Sequence, residues 1–168
     1  MGVSEQAVWS TSIELASEHA TRKLANALHP AAAPGHTLLL SGEIGAGKTF
    51  FARAIIQGLL APYGTPEDVP SPTFTLVQTY QIPGLEIWHS DLYRLCGIEE
   101  VAELGLLDAF ETAFCLVEWP DRLGAERPKD ALSLTFGMSA DKGARRVTLT
   151  AHDPKWGWLS SVLGAGLQ

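Results

Sequence analysis

Cysteine and basic residues are both scarce in this chain, and each shortage excludes something. Cys96 and Cys115 are the two cysteines, 19 positions apart, with no CxxC and no Cys/His metal spacing. That rules out a disulfide-stapled scaffold or a zinc module and fits reduced thiols in a cytoplasm. Lys and Arg total 12 against 19 Asp and Glu, for a formal net charge of −7. An acidic chain does not grip nucleic acid unaided, because displacing counterions from phosphates takes a basic surface. Any role near RNA is therefore expected to be indirect. Also missing is an apolar run long enough to cross a bilayer. Met1-Gly-Val-Ser-Glu-Gln6 has neither the basic region nor the apolar segment of an export signal, and Gln6 stands where a myristoylation signal requires Ser or Thr. The expectation is a cytoplasmic protein with no membrane partner.

What is present is a globular composition, 46% hydrophobic and 18% charged over 168 residues, enough for one α/β domain over residues 1–168 with a real core. Gly42-Glu-Ile-Gly-Ala-Gly-Lys-Thr49 fits the phosphate-binding pattern GxxxxGK[ST] without a mismatch. An apolar run, Thr37-Leu-Leu-Leu40, precedes it, and Phe50 to Leu60 follows with helical spacing, which gives strand, loop and helix. Glycines at Gly42, Gly45 and Gly47 let successive backbone N–H groups turn inward around a polyphosphate. Lys48 is expected to reach the β- and γ-phosphates, and the Thr49 hydroxyl to ligate Mg²⁺. The positive end of the following helix adds to the field.

Taken in order, Thr11-Ser-Ile-Glu14 has the form of a capping box, so the spacing of Ile13, Ala16, Ala20, Leu24 and Leu28 predicts a helix ending near Pro30. A loop rich in proline spans 62–73 and leads into Phe74 to Tyr80, read as a strand, with a turn at Pro83-Gly84 into Leu85 to His89. Residues 98–112 read as short helices broken at Gly105, and Ala113 to Val117 as a strand buried on both faces. Leu132 to Phe136 and Val147 to Leu149 form a second hairpin, and the tail from Pro154 to Leu163 a short helix.

Three polar residues follow or flank these strands. Glu118, at the end of a buried strand, is either a metal-holding acid or a surface residue. Asp91 serves the metal shell, positions an attacking water, or bonds nearby backbone N–H groups. Thr73 either senses a γ-phosphate, as switch segments do, or caps the next strand.

Four blocks in one order, GEIGAGKT at 42–49, SPTFTLV at 71–77, HSDLYRL at 89–95 and LVEWP at 116–120, are together specific. On them the chain resembles the bacterial TsaE family, small ATPases required for making threonylcarbamoyladenosine on tRNA. The resemblance implies a P-loop NTPase-like three-layer α/β sandwich, its central parallel sheet extended by antiparallel strands. It implies ATP and Mg²⁺ as ligands, phosphates bound by Ile44 to Thr49, a metal held by Thr49 and Glu118, Asp91 and Lys48 in the catalytic centre, and Thr73 in the switch-like segment. Ser12 and Glu14, at the predicted start of the first helix, become nucleotide-contact candidates. The implied partners are proteins of TsaD and TsaB type, with tRNA reached only through them. ATPase activity is expected to be weak alone, Arg94 being the obvious internal cation near the phosphates. Ser90 departs from the family pattern, where a larger apolar residue is common, as does the Pro-rich insert at 30–34. Two rivals share the phosphate loop: a nucleotide-gated adaptor with incidental hydrolysis, and a small-molecule kinase, for which no Arg-rich lid is visible.

Overall fold

Four apolar segments, too short and too β-branched or leucine-rich to stand alone, pair side by side as the parallel centre of a seven-stranded sheet. In the computed structural model, which describes residues 7–64, 68–140 and 144–166, the strands are β1 (Trp9–Leu15), β2 (Thr37–Ser41), β3 (Val77–Ile82), β4 (Leu85–Asp91), β5 (Phe114–Glu118), β6 (Leu132–Met138) and β7 (Arg145–Ala151). Their order across the sheet is β1-β7-β6-β2-β5-β4-β3. β2 runs parallel to β5 and β6, and β4 parallel to β5. The β6–β7 and β3–β4 hairpins and the β1–β7 pair add antiparallel strands at the two sides.

Alternation along the central strands builds two cores. On β2 and β5, Leu38, Leu40, Phe114 and Leu116 enter one cluster, with Leu24 of α1 (Glu18–Ala27) and Phe51, Ile55 and Ile56 of α2 (Lys48–Leu60). Leu39, Cys115 and Val117 enter the other, with Val101 of α3 (Ile98–Glu103) and Leu106 and Ala109 of α4 (Leu106–Thr112). Helices on both faces make three layers, so β5 is buried along its whole length. Gly105, at φ +82, separates α3 from α4 as expected. At the tail the expected single helix is divided: Pro154–Trp156 is a 3₁₀ turn, and α5 (Leu159–Gly166) begins after it. Trp156 is fully buried and its indole N–H donates to the Asp130 carbonyl at 2.7 Å.

The first helix corrects the sequence reading. Thr11 to Glu14 do not cap a helix but lie in β1, registered against β7 from Trp9↔Ala151 to Leu15↔Arg145. The N-cap is Ser17, whose hydroxyl accepts from the Ala20 N–H at 3.2 Å. The Trp9-Ser-Thr-Ser-Ile13 stretch is β-prone, and β7 offers a ladder of backbone partners that a short local cap does not match. The strand expected from Phe74 starts later, at Val77. Leu76 is left-handed (φ +71) and donates its N–H to the Pro72 carbonyl at 2.7 Å, so the chain turns before it extends. Residues 65–67 of the proline-rich loop, 141–143 of the second hairpin and residues 1–6 lie outside the described residues. Among the described residues no helix is long and apolar enough to cross a membrane.

The two thiols sit in opposite settings. Cys96 is exposed, whereas Cys115 is buried between the sheet and the α3–α4 layer, and burial pushes its thiol up to about 12. Iodoacetamide at about pH 8 should therefore alkylate Cys96 alone in the native protein and both thiols after denaturation, as peptide mass spectrometry would show; native labelling of Cys115 would contradict the packing of β5.

Candidate functional site

Every polar residue singled out on the central strands falls at the same end of the sheet, because parallel strands present their C-terminal ends together. β2 ends at Ser41 and the chain turns through Gly42 to Gly47 into α2. At Gly42 (φ +137) a Cβ would lie 2.4 Å from the Phe136 carbonyl oxygen, and at Gly47 (φ +109) 2.9 Å from Arg145 Nη1. Gly42 demands glycine on backbone conformation and on space, Gly47 on backbone conformation, since the Arg145 guanidinium can move aside. No side chain caps α2, so its first-turn N–H groups have no side-chain acceptor of their own, as an anion site requires.

Lys48, the first residue of α2, is buried. Its Nζ donates to the carbonyls of Gly42 at 2.5 Å and Glu43 at 2.8 Å, and lies 4.4 Å from the ring centroid of Trp119. Burial lowers the Lys48 ammonium below the ordinary lysine range, opposed by the negative charges of Glu118 and then Asp91. The next residue, Thr49, donates its hydroxyl to Glu118 Oε1 at 2.6 Å. Glu118 closes β5, in register with Leu40 of β2 on one side and Asp91 of β4 on the other. Its second oxygen, Oε2, lies 2.7 Å from Nε2 of His89, and both side chains are buried. Asp91 Oδ1 accepts the Tyr93 N–H at 3.0 Å, and Oδ2 accepts the Thr73 hydroxyl at 3.2 Å. Strand order has thus gathered Lys48, Thr49, Thr73, Asp91 and Glu118 from four separate stretches.

These residues line one cleft of about 600 Å³ together with Ile44, Gly45, Ala46 and Gly47. Gly42 lies behind the lining, at the root of the loop. Leu15, Ser17, Glu18 and Thr21 also line the cleft, with Phe50, Phe136 and Arg145. Ser12 and Glu14 are not among the lining residues. They sit on β1, where the Ser12 hydroxyl pairs with Thr148 at 2.9 Å and Glu14 accepts from Arg146 Nε at 2.7 Å. Hydrogen bonds from Ser139 and Arg146 hold the exposed Glu14 carboxyl below the usual carboxylate range. The element start that reaches the cleft is the real N-terminus of α1, a few residues further on. Arg94 stands with its guanidinium 4.5 Å from the ring centroid of Phe74 and is not among the cleft-lining residues.

Three residues at the site had no role assigned from sequence. Arg145 lies over Gly47, and its only linear signal was an Arg-Arg pair after a polar loop. Trp119, left-handed at φ +60, places its ring beside Lys48. His89 belongs to the HSDLYRL block and ends the strand read as Leu85 to His89, with no role of its own.

Comparison with known proteins gives the family and the fold. The family described as threonylcarbamoyl adenosine biosynthesis protein TsaE matches residues 15–147. A relative from Rickettsia bellii, named tRNA threonylcarbamoyladenosine biosynthesis protein TsaE, is 43% identical over 127 residues, covering 76% of this chain and 86% of its own. Its Bacillus subtilis namesake is 33% identical over 144 residues, covering 85% and 87%. The crystal structure of Bacillus subtilis YdiB superposes with a TM-score of 0.74 at 28% identity, covering 95% of this chain and 97% of that one. The chain therefore belongs to the TsaE family, proteins of threonylcarbamoyladenosine biosynthesis, and has its P-loop NTPase-like fold.

Proposed function

We propose that the protein is a Mg²⁺-dependent ATPase of the cytoplasm that supports formation of N6-threonylcarbamoyladenosine on tRNA by acting on a complex of TsaD and TsaB type. The observation that carries this reading is the 2.6 Å contact between the Thr49 hydroxyl and the Glu118 carboxyl, directly beside the glycine loop and Lys48. Thr49 and Glu118 are hard oxygen donors at the spot where a divalent ion would bridge to phosphates, so the residues fit Mg²⁺. Among the described residues no three His, Cys, Asp or Glu cluster as a metal cage, which suits an ion that takes its remaining ligands from phosphate and water. When bound, Mg²⁺ would neutralise charge on the β- and γ-phosphates.

The chain's own groups then divide the work. Backbone N–H groups from Ile44 to Thr49 hold the phosphates, and Lys48 exchanges its carbonyl partners for phosphate oxygens. Asp91, tied to Thr73 and the Tyr93 N–H, is placed to orient an attacking water, and Thr73 links that water to the segment before β3. Arg145, over Gly47, adds a cation to the anion site. The wall from Ser17 to Thr21 is left for the nucleoside. Arg94 is stacked on Phe74 rather than lining the cleft, which leaves Arg145 as the arginine at the anion site; turnover by the isolated chain is expected to be slow and to rise on partner contact.

A nucleotide-gated adaptor is favoured by one further observation. Ile44 at the loop tip and Phe74 before β3 are 75% and 78% exposed, so apolar side chains flank the anion site where a partner would feel its occupancy.

Variants separate the two readings. Lys48→Ala should weaken ATP binding by about tenfold or more, and Arg145→Ala by a smaller factor, while Glu118→Ala and Asp91→Ala retain binding within a few fold and lose about 100-fold in turnover. Equilibrium titration and phosphate-release assays measure both. Reconstitution with TsaB, TsaD and threonylcarbamoyl-adenylate tests the role itself: repeated tRNA modification should require this chain and ATP. Full support of modification by Glu118→Ala and Asp91→Ala would favour the adaptor instead.

A further inference from the structure

Glu118 has two carboxyl oxygens, and they are held differently. Oε1 receives the Thr49 hydroxyl from the loop side, whereas Oε2 faces the interior and meets Nε2 of His89 at 2.7 Å. His89 is fully buried on β4, registered against Leu116 of β5 and Gln78 of β3, and its Nδ1 has no hydrogen-bond partner among the described residues. A buried imidazole with one nitrogen unpartnered costs more than an apolar side chain of similar volume in the same place. The single bond it does make is to Glu118.

We infer that His89 is a positioning residue for the metal site: its Nε2–H anchors Oε2 of Glu118, fixes the carboxyl plane, and leaves Oε1 as the oxygen that faces Thr49 and a bound Mg²⁺. With Oε2 as the acceptor, the donor in this contact is the Nε2–H of the imidazole. The anchor comes from β4 and the carboxyl from β5, so the geometry is set by a parallel strand pair rather than by a loop. A glutamate rotating freely about its side-chain torsions would bind the ion with greater loss of freedom; one already fixed at Oε2 does not. Thr49 gives up its bond to Oε1 when the hydroxyl turns to a cation, and at that moment His89 is what still orients Glu118.

This role depends on the magnesium site proposed above, and one titration separates failure of the two. Fluorescent N-methylanthraniloyl-ADP is titrated against wild type, His89→Leu, His89→Gln and His89→Asn, in EDTA and across a Mg²⁺ series, with thermal melting measured alongside. Wild type should bind more tightly with Mg²⁺; absence of any Mg²⁺ dependence in wild type overturns the metal site and this role with it. His89→Leu should raise the Mg²⁺ concentration for half-maximal enhancement by about tenfold while affinity in EDTA changes by less than about twofold. Glutamine can carry an amide N–H to the Nε2 position and should recover the midpoint to within about threefold, whereas asparagine falls short and should not. A wild-type midpoint in His89→Leu overturns the proposal. So do equal midpoints in the glutamine and asparagine variants, which also decide the matter if the leucine variant does not fold. A purely structural histidine would instead lower melting temperature and affinity in EDTA together without moving the Mg²⁺ midpoint.

Discussion

A carboxyl group that closes one buried strand is hydrogen-bonded at once to a helix and to the neighbouring strand, and the site follows from that. Glu118 joins Thr49 of α2 to His89 of β4 across the end of β5. The contact exists because β2, β5 and β4 are adjacent and parallel, so that Leu40, Glu118 and Asp91 end in register. Parallel pairing in turn needs strands buried on both faces, which the unbroken apolar run through β5 supplies. Sequence, sheet order and site are thus one constraint read at three scales.

The glycine loop meets the same constraint from the other side. Gly42 lies so close to the Phe136 carbonyl of β6 that a side chain has no room, which ties the root of the loop to the strand beside β2. Lys48 is buried among carbonyls and the Trp119 ring, a cost that the charges of Glu118 and Asp91 offset only in part. The loop, the lysine and the two acids are mutually dependent, and removing one acid changes the field at the cation as well as any metal site.

How much of this was visible in the linear sequence depended on how local the physics is. The glycine loop was legible because its requirements, positive φ and absence of side chains, belong to single residues. β5 was legible because burial on both faces leaves a continuous apolar run, and the β3–β4 turn because Pro83-Gly84 marks it. β1 was not. Its Thr11 to Glu14 pattern satisfies a local capping rule, while the competing interaction is pairing with β7, more than a hundred residues away in register from Glu14↔Arg146. Ser12 and Glu14 were placed beside the nucleotide for the same reason, and the residues that line the cleft, Ser17, Glu18 and Thr21, start one element later. Arg145 was invisible because only strand order shows which arginine of the pair lies over Gly47. The turn at Leu76 was hidden too, since nothing in Phe74 to Tyr80 signals a left-handed leucine. Asp91 and Glu118 do end their strands, but nothing in the linear sequence showed which groups hold them.

The central claim is that Thr49 and Glu118 share one divalent ion beside a bound polyphosphate. A crystal structure of the protein with Mg²⁺ and a non-hydrolysable ATP analogue tests it most directly. The account predicts the ion at about 2.0–2.1 Å from the Thr49 hydroxyl oxygen, bridging the β- and γ-phosphates, with Glu118 Oε1 bonded to it or to one of its waters. An ion, or a nucleotide, bound with Thr49 still donating to Glu118 and neither residue in reach of the metal or its waters would contradict it.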